Sequence, residues 1–351
     1  MRVNSRPRRA LPLLAAAATL LAPVTASASD PAPAVIATTL GTPQVVPVPS
    51  NPVNWYANDS TFPYLPNAQG TTNITFWVDG ANYRSTGQSL DTMGPINPTK
   101  AVLGSGTSGS FDGNGAWLSS AQRDPNNSAG VIYGFYHAED HVFADGSYGE
   151  WNSTGLATST DDGVTWTKKG KIIGIPKPSA HTSGGVEANS VIYDKVNKRW
   201  LAIGHGVGFA STDPNAAPGT WKGWNQGTFS TPMPAASASP KLQALPGLST
   251  NMATNSITWN TYLNRYVMVW QAWGDTTGVH ITTSADGVHW DPSKVLFGTD
   301  SSKQINYAQI IGVSSSQSGQ DAMLVYEQWP PTTGRNRDMI ERPIHFSTTG
   351  S

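Results

Sequence analysis

The chain has 351 residues and no cysteine, and its charge is nearly balanced, with 22 Lys+Arg against 23 Asp+Glu. The lack of cysteine excludes a disulfide scaffold, a thiol nucleophile and a cysteine-ligated metal. With 35 Gly, 26 Pro and 13 Trp but only 13% charged residues, the composition is that of many short strands joined by tight turns. At the start, Arg2, Arg6, Arg8 and Arg9 precede an apolar run from Leu11 to Leu21, and Ala26-Ser27-Ala28 offers the small residues of a cleavage site. The run is shorter than the roughly 20 residues that cross a bilayer, so residues 1–28 are expected to be an export signal rather than an anchor. Its removal takes four arginines and leaves 18 basic against 23 acidic side chains, a net charge of −5. That balance speaks against nucleic acid or an anionic membrane as partner and for an uncharged one. The expected location is secreted, extracellular or periplasmic.

Residues 29–53 are rich in Pro, Ala, Thr and Val without periodicity and read as a linker or N-terminal arm. The remainder, 54–351, reads as one domain without a sustained helical period. Short β-branched and aromatic runs such as Val131-Ile132-Tyr133-Gly134-Phe135-Tyr136, bounded by Gly, Asn or Asp, read as strands. An internal repeat organises them. Asn189-Ser190-Val191-Ile192-Tyr193-Asp194, followed by Arg199-Trp200-Leu201-Ala202, recurs 66 residues later as Asn255-Ser256-Ile257-Thr258-Trp259-Asn260 and Arg265-Tyr266-Val267-Met268.

A second element repeats as well. Ser159-Thr160-Asp161-Asp162-Gly163-Val164-Thr165-Trp166 has the pattern of the Asp-box hairpin of sialidase-type propellers. Ser284-Ala285-Asp286-Gly287-Val288-His289-Trp290 is a shorter form, and Ser211-Thr212-Asp213 running on to Trp221 is a form with an inserted loop. The box is read as structural: the carboxylate accepts backbone N–H groups, Gly takes a positive φ, and Trp packs the hairpin on its sheet. The closing tryptophans, 166, 221 and 290, are spaced as four-stranded blades require. Blades are expected near 75–102, 112–172, 185–229, 252–298 and 305–346, an all-β, five-bladed β-propeller of four-stranded antiparallel blades.

Over residues 70–300 the chain resembles the exported five-bladed propellers of the glycoside hydrolase superfamily of arabinanases, β-xylosidases and fructosidases, families 43 and 32. The resemblance is carried by Gly219-Thr220-Trp221-Lys222-Gly223-Trp224, by Gly227-Thr228-Phe229, and by the Trp259 to Tyr266 strand pair with its Ser284 hairpin. It implies three acids on the first three blades: a base or nucleophile, a carboxylate that tunes the acid, and a proton donor. The matching positions are Asp79, Asp112 and Glu187, each expected in or just before an innermost strand. Asp91 is a loop acid that could replace either aspartate. For Glu187, an apolar surrounding is expected to raise the pKa.

The densest polar cluster is Tyr136-His137-Ala138-Glu139-Asp140-His141, after a strongly apolar strand. His137, Glu139 and Asp140, together with His205, Gln271, Trp273 and Glu327 at corresponding strand ends of other blades, are expected to bind a sugar. Their rings suit its apolar faces and their polar groups its hydroxyls. No metal ligand set and no cofactor is expected, although a structural calcium in the channel is compatible with the fold. The sequence-based reading is a monomeric, secreted, glycoside hydrolase-like protein acting on a poly- or oligosaccharide with paired carboxylates. The alternative is a non-catalytic carbohydrate- or surface-binding propeller.

Overall fold

Gly, Asp and Asn turns cut this chain into short antiparallel strands, and their apolar faces bring five sheets together as a five-bladed β-propeller. The computed structural model describes residues 35–349 apart from 48–57, 59, 80, 98, 128–129, 181, 189, 273–277, 299–302 and 333–336. For Val35, Asp79 and Thr349 it describes the backbone only. The expected export signal lies outside the described residues.

Among the described residues, blade 1 has three strands, Tyr64–Pro66, Asn73–Asp79 and Ala81–Gly87. Blade 2 runs Gly115–Arg123, Ile132–Val142, Tyr148–Ser159 and Thr167–Ile173. Blade 3 runs Ser190–Asp194, Arg199–Gly204, Val207–Ser211, Trp221–Asn225 and Thr228–Met233. Blade 4 runs Thr254–Asn260, Arg265–Gln271, Val279–Ser284 and Lys294–Phe297. The last blade has Gln304–Ile311, Asp321–Trp329 and Asp338–Thr349, and its outer strand is Val35–Leu40 from the other end of the chain. The segment whose composition suggests a linker or arm therefore supplies a strand. The 66-residue repeat corresponds to the first two strands of blades 3 and 4.

The first strand of each blade is innermost and, among the described residues, is paired on one side only, except in blade 4, where Trp259 and Asn260 also pair in parallel with Gln317 and Ser318. The other edge faces the axis, where backbone N–H groups need partners. Short polar side chains from neighbouring blades supply them. Val191 N donates to Ser120 Oγ at 3.0 Å, Ile257 N to Ser190 Oγ at 2.9 Å, and Phe62 N to Gln309 Oε1 at 3.1 Å. Between these strands lies a cavity of about 10 Å³, lined by Ser120, Ser190, Ser256 and Gln309 among others. That is room for about one water.

The Ser-Asp hairpins are local locks. Asp161 accepts from Thr165 N at 2.9 Å and Thr165 Oγ1 at 2.6 Å, Gly163 sits at φ +77°, and Trp166 meets Phe76 of blade 1 edge-on. Asp286 likewise accepts from Val288 N and His289 N, both at 2.8 Å. Arg199 and Arg265 are held by Asp194 and Asp291 at 2.9 and 2.7 Å, so the repeated arginines brace the blades.

One expectation about blade 1 needs correction. Its innermost strand is Tyr64–Pro66, so the run ending in Asp79 is the second strand, and Asp79 closes it in a hairpin with Ala81. Asp91 lies in the short 3-10 turn Leu90–Thr92, a carboxyl neighbour of Glu341 of blade 5. Burial and then this carboxyl neighbour push Glu341 up from an ordinary 4.5 to about 7. Between those values the folded chain binds more protons than the unfolded one, so this group makes stability fall as pH rises from 4.5 through 7. Glu341→Gln should therefore gain stability relative to the parent by about 2 kcal/mol between pH 4.5 and pH 8, read from urea melts at both. An equal difference at the two pH values would show that no such group titrates in this window.

Candidate functional site

In an antiparallel blade the first strand begins where the second ends. One end of the propeller therefore collects the starts of the five innermost strands and the ends of their partners. Glu187 stands just before Ser190–Asp194 and is brought there by two glycines. Gly184 and Gly185 pair in parallel with Trp151 and Asn152 of blade 2. A Cβ on Gly185 would meet the Asn152 carbonyl oxygen at 2.2 Å, and Gly185 sits at φ +114°. Ala188 N then donates to Thr154 Oγ1 at 2.8 Å. Thus an acid that leads into blade 3 is fastened to blade 2, beside the end of its second strand.

That strand end carries His137 and Glu139 on one face, two residues apart. His137 Nδ1 is hydrogen-bonded to Glu187 Oε2, and His137 Nε2 lies 2.8 Å from Glu139 Oε1. Glu139 Oε2 is 2.7 Å from His141 Nε2, whose Nδ1 is 2.6 Å from the Tyr148 hydroxyl. On the other side, His205 Nε2 is 3.6 Å from Glu187 Oε1. His205 and Gly206 both have positive φ and form the tight two-residue turn after Arg199–Gly204, which suits a type I′ hairpin. His205 Nδ1 is fixed 2.9 Å from the Met252 carbonyl of blade 4. The Glu187 side chain is only 7% exposed, whereas His205 is 44% exposed and faces the opening.

The charges explain each other. Burial works to raise the Glu187 pKa, but the charge and hydrogen bond of His137, with His205 behind them, outweigh it and hold the carboxyl at about 2. The expected upward shift is thus reversed. Burial likewise works against charging His137, yet Glu187 and Glu139 lift it well above its ordinary value. Glu150 behaves oppositely: the hydrogen bond to Glu139, then burial, pushes it up to about 7. One carboxyl held ionised near another that keeps its proton to neutrality is the opposed pair that acid–base chemistry uses.

Several other expected site residues have different engagements. Asp112 is buried in a separate network: Lys168 Nζ donates to its Oδ2 at 2.6 Å, Ser110 Oγ to its Oδ1 at 2.7 Å, and the Tyr136 hydroxyl to Oδ2 at 3.2 Å. Lys168 lies on the outermost strand of blade 2, and Tyr136 points to the opposite face from His137, so Asp112 is held away from Glu187. Asp140 turns to Lys177 at 2.5 Å. Glu327 is buried against Arg337 at 3.2 Å, and Arg337 also donates to the Asn58 carbonyl at 3.1 Å, joining the last blade to the first. Gln271 donates from Nε2 to the Ile305 carbonyl, joining blades 4 and 5. The side chain of Asp79 and all of Trp273 lie outside the described residues.

Glu150 and Tyr148 were not singled out by sequence. The signal was the Asp145-Gly146 turn between two strand runs, which folds 148–152 back onto 137–142 and sets Glu139 opposite Asn152.

No family model matches the sequence, and no curated protein does. Solved structures do. The exo-β-1,3-galactanase of Phanerochaete chrysosporium superposes with a TM-score of 0.53 at 10% identity, over 86% of this chain and 64% of that one. This chain thus spans less than two thirds of the galactanase. The catalytic domain of a GH62 α-L-arabinofuranosidase from Coprinopsis cinerea gives 0.50 at 12% identity, over 88% and 96%. What is shared is the five-bladed fold.

The Asp112 network yields a clear expectation. Asp112→Asn should cost about 1–3 kcal/mol by leaving the Lys168 ammonium without its counter-charge, while ligand affinity per folded molecule stays within twofold. Chemical melts and binding measured on the same preparations check this. Affinity lost without loss of stability would return Asp112 to the site.

Proposed function

We propose that this chain is a secreted glycoside hydrolase-like protein that cleaves a poly- or oligosaccharide at the mouth holding Glu187. The observation that carries this is the placement of two carboxyl groups, Glu187 and Glu139, against opposite nitrogens of one imidazole, His137. The His137 ring fills the space between them, so a glycosidic bond would meet these groups from the solvent side rather than between the two carboxyls. The five-bladed likeness to a galactanase and an arabinofuranosidase agrees with a carbohydrate substrate. So does the sequence-based expectation of export, since polysaccharides are met outside the cell. In this reading Glu187 is the ionised carboxylate, and His137 and His205 position it. The blade-2 carboxyls, Glu139 and Glu150, supply the second acidic function, and the exposed ring of Tyr148 offers a sugar a stacking face.

A second reading is favoured by one feature. The Glu187 carboxylate is engaged on both oxygens by imidazoles, an arrangement that also suits a non-catalytic carbohydrate-binding propeller.

The test is reducing-sugar release from a panel of plant and microbial polysaccharides. Glu187→Gln should lower turnover about 10²- to 10⁴-fold with the fold unchanged by circular dichroism. Release that survives in Glu187→Gln would move the chemistry elsewhere. No release by the parent protein, with glycan binding intact, would replace the hydrolase by the binding propeller.

A further inference from the structure

We propose that the second hairpin of blade 2 binds a divalent transition-metal ion, with His137 Nε2, Glu139 and Glu150 as ligands and His141 completing the set. This deepens the functional reading and rests on it: with Glu139 and Glu150 holding the ion, a water bound to it would take over the second acidic function beside Glu187. One ligand atom from each of His137, Glu139 and Glu150 lies within 4.8 Å of the others, a spacing that a single ion can bridge. His141 Nε2, 2.7 Å from the far oxygen of Glu139, borders the same space.

The surroundings of the two histidines support the assignment beyond proximity. A metal-binding imidazole is ordinarily fixed through its other nitrogen by an acceptor, which sets both tautomer and ring orientation. His137 has this arrangement: its Nδ1 is engaged by the buried Glu187, so Nε2 is the nitrogen turned to the acids. His141 repeats it with the Tyr148 hydroxyl on Nδ1. Asn152 adds an independent observation. It stands directly across the ladder from Glu139, hence on the same face, and its side-chain carbonyl oxygen is buried with no hydrogen-bond donor among the described residues. A buried oxygen without a donor, beside two carboxylates, is a group that a cation would satisfy.

The donor set identifies the class of ion. Imidazole nitrogens mixed with carboxylates suit Zn²⁺ or Mn²⁺ better than Ca²⁺, which takes oxygen ligands. The site is off the propeller axis, on one blade, and Glu150 is exposed, so an ion can enter from solvent.

The experiment uses the untagged full chain, stripped with EDTA and titrated calorimetrically with Zn²⁺, Mn²⁺ and Ca²⁺ in separate runs. Bound metal is counted by elemental mass spectrometry. One equivalent of Zn²⁺ or Mn²⁺ should bind with at least tenfold preference over Ca²⁺ and raise the melting temperature. Glu150→Gln, at the exposed edge of the site, and His141→Ala should each weaken binding at least tenfold with unchanged circular dichroism. No saturable binding of Zn²⁺ or Mn²⁺ below millimolar concentration would overturn the proposal, as would binding that both variants leave intact. These readouts need no substrate, so failure of every polysaccharide to be cleaved bears on the hydrolase reading alone.

Discussion

A propeller turns the inner edge of every sheet towards its own axis, and apart from the short Gln317–Ser318 pairing on blade 4 those edges must be satisfied without a further strand. Here the solution is a set of side chain-to-backbone bonds passed between blades, from Ser120, Ser190 and Gln309 to the amides of Val191, Ile257 and Phe62. A hydroxyl or amide can do this only if it is short enough to sit between two strands. The inner edges of these strands are therefore lined by small polar residues. Everything chemically distinctive is displaced to an end, where the strands diverge and side chains can be long, charged and partly wet.

At that end the problem becomes one of buried charge. An ionised carboxylate as enclosed as Glu187 is tolerable only with hydrogen-bonded counter-charges, and His137 and His205 provide them from two blades. The arrangement depends on backbone that approaches closely. Gly185 lets its segment lie on blade 2, and a Cβ on Gly204 would come within 1.9 Å of the Glu187 carbonyl oxygen. Glycines without chemistry of their own thus determine where the acid stands. The remaining polar residues of this end, Gln271, Glu327 and Arg337, tie neighbouring blades together, as a ring of separate sheets requires.

Much of the architecture was legible because it rests on local rules. The strand pairs at 190–202 and 256–268, the hairpins at Asp161 and Asp286, and the blade count all follow from periodicity and turn residues. The innermost strand of blade 1 was missed because Tyr64–Pro66 is short and rich in proline, whereas the second strand, Asn73–Asp79, has the stronger apolar signal. Within the site, the cluster from His137 to His141 and Glu187 stood out as acids and imidazoles next to apolar strands. The direction of the Glu187 shift did not, because burial is visible in composition but two histidines from different strands are not. Asp112 was legible only as an acid before a strand. That its carboxylate faces Lys168 follows from the pairing of the third and fourth strands of blade 2, 45 residues and more along the chain.

The ring is sealed by Val35–Leu40 against Asp338–Thr349, so the two ends of the described chain are neighbours in one sheet. During synthesis, the first of these strands waits for the last blade before it has anything to pair with. Until then, the outer edge of the last blade is an open row of donors and acceptors. The geometry that closes one ring is equally available between two chains, with the leading strand of one completing the final blade of another. Strand exchange of this kind needs no new contact, only concentration and a delay in closure. The join that makes the fold a closed circle is thus also the place where two copies would become one assembly.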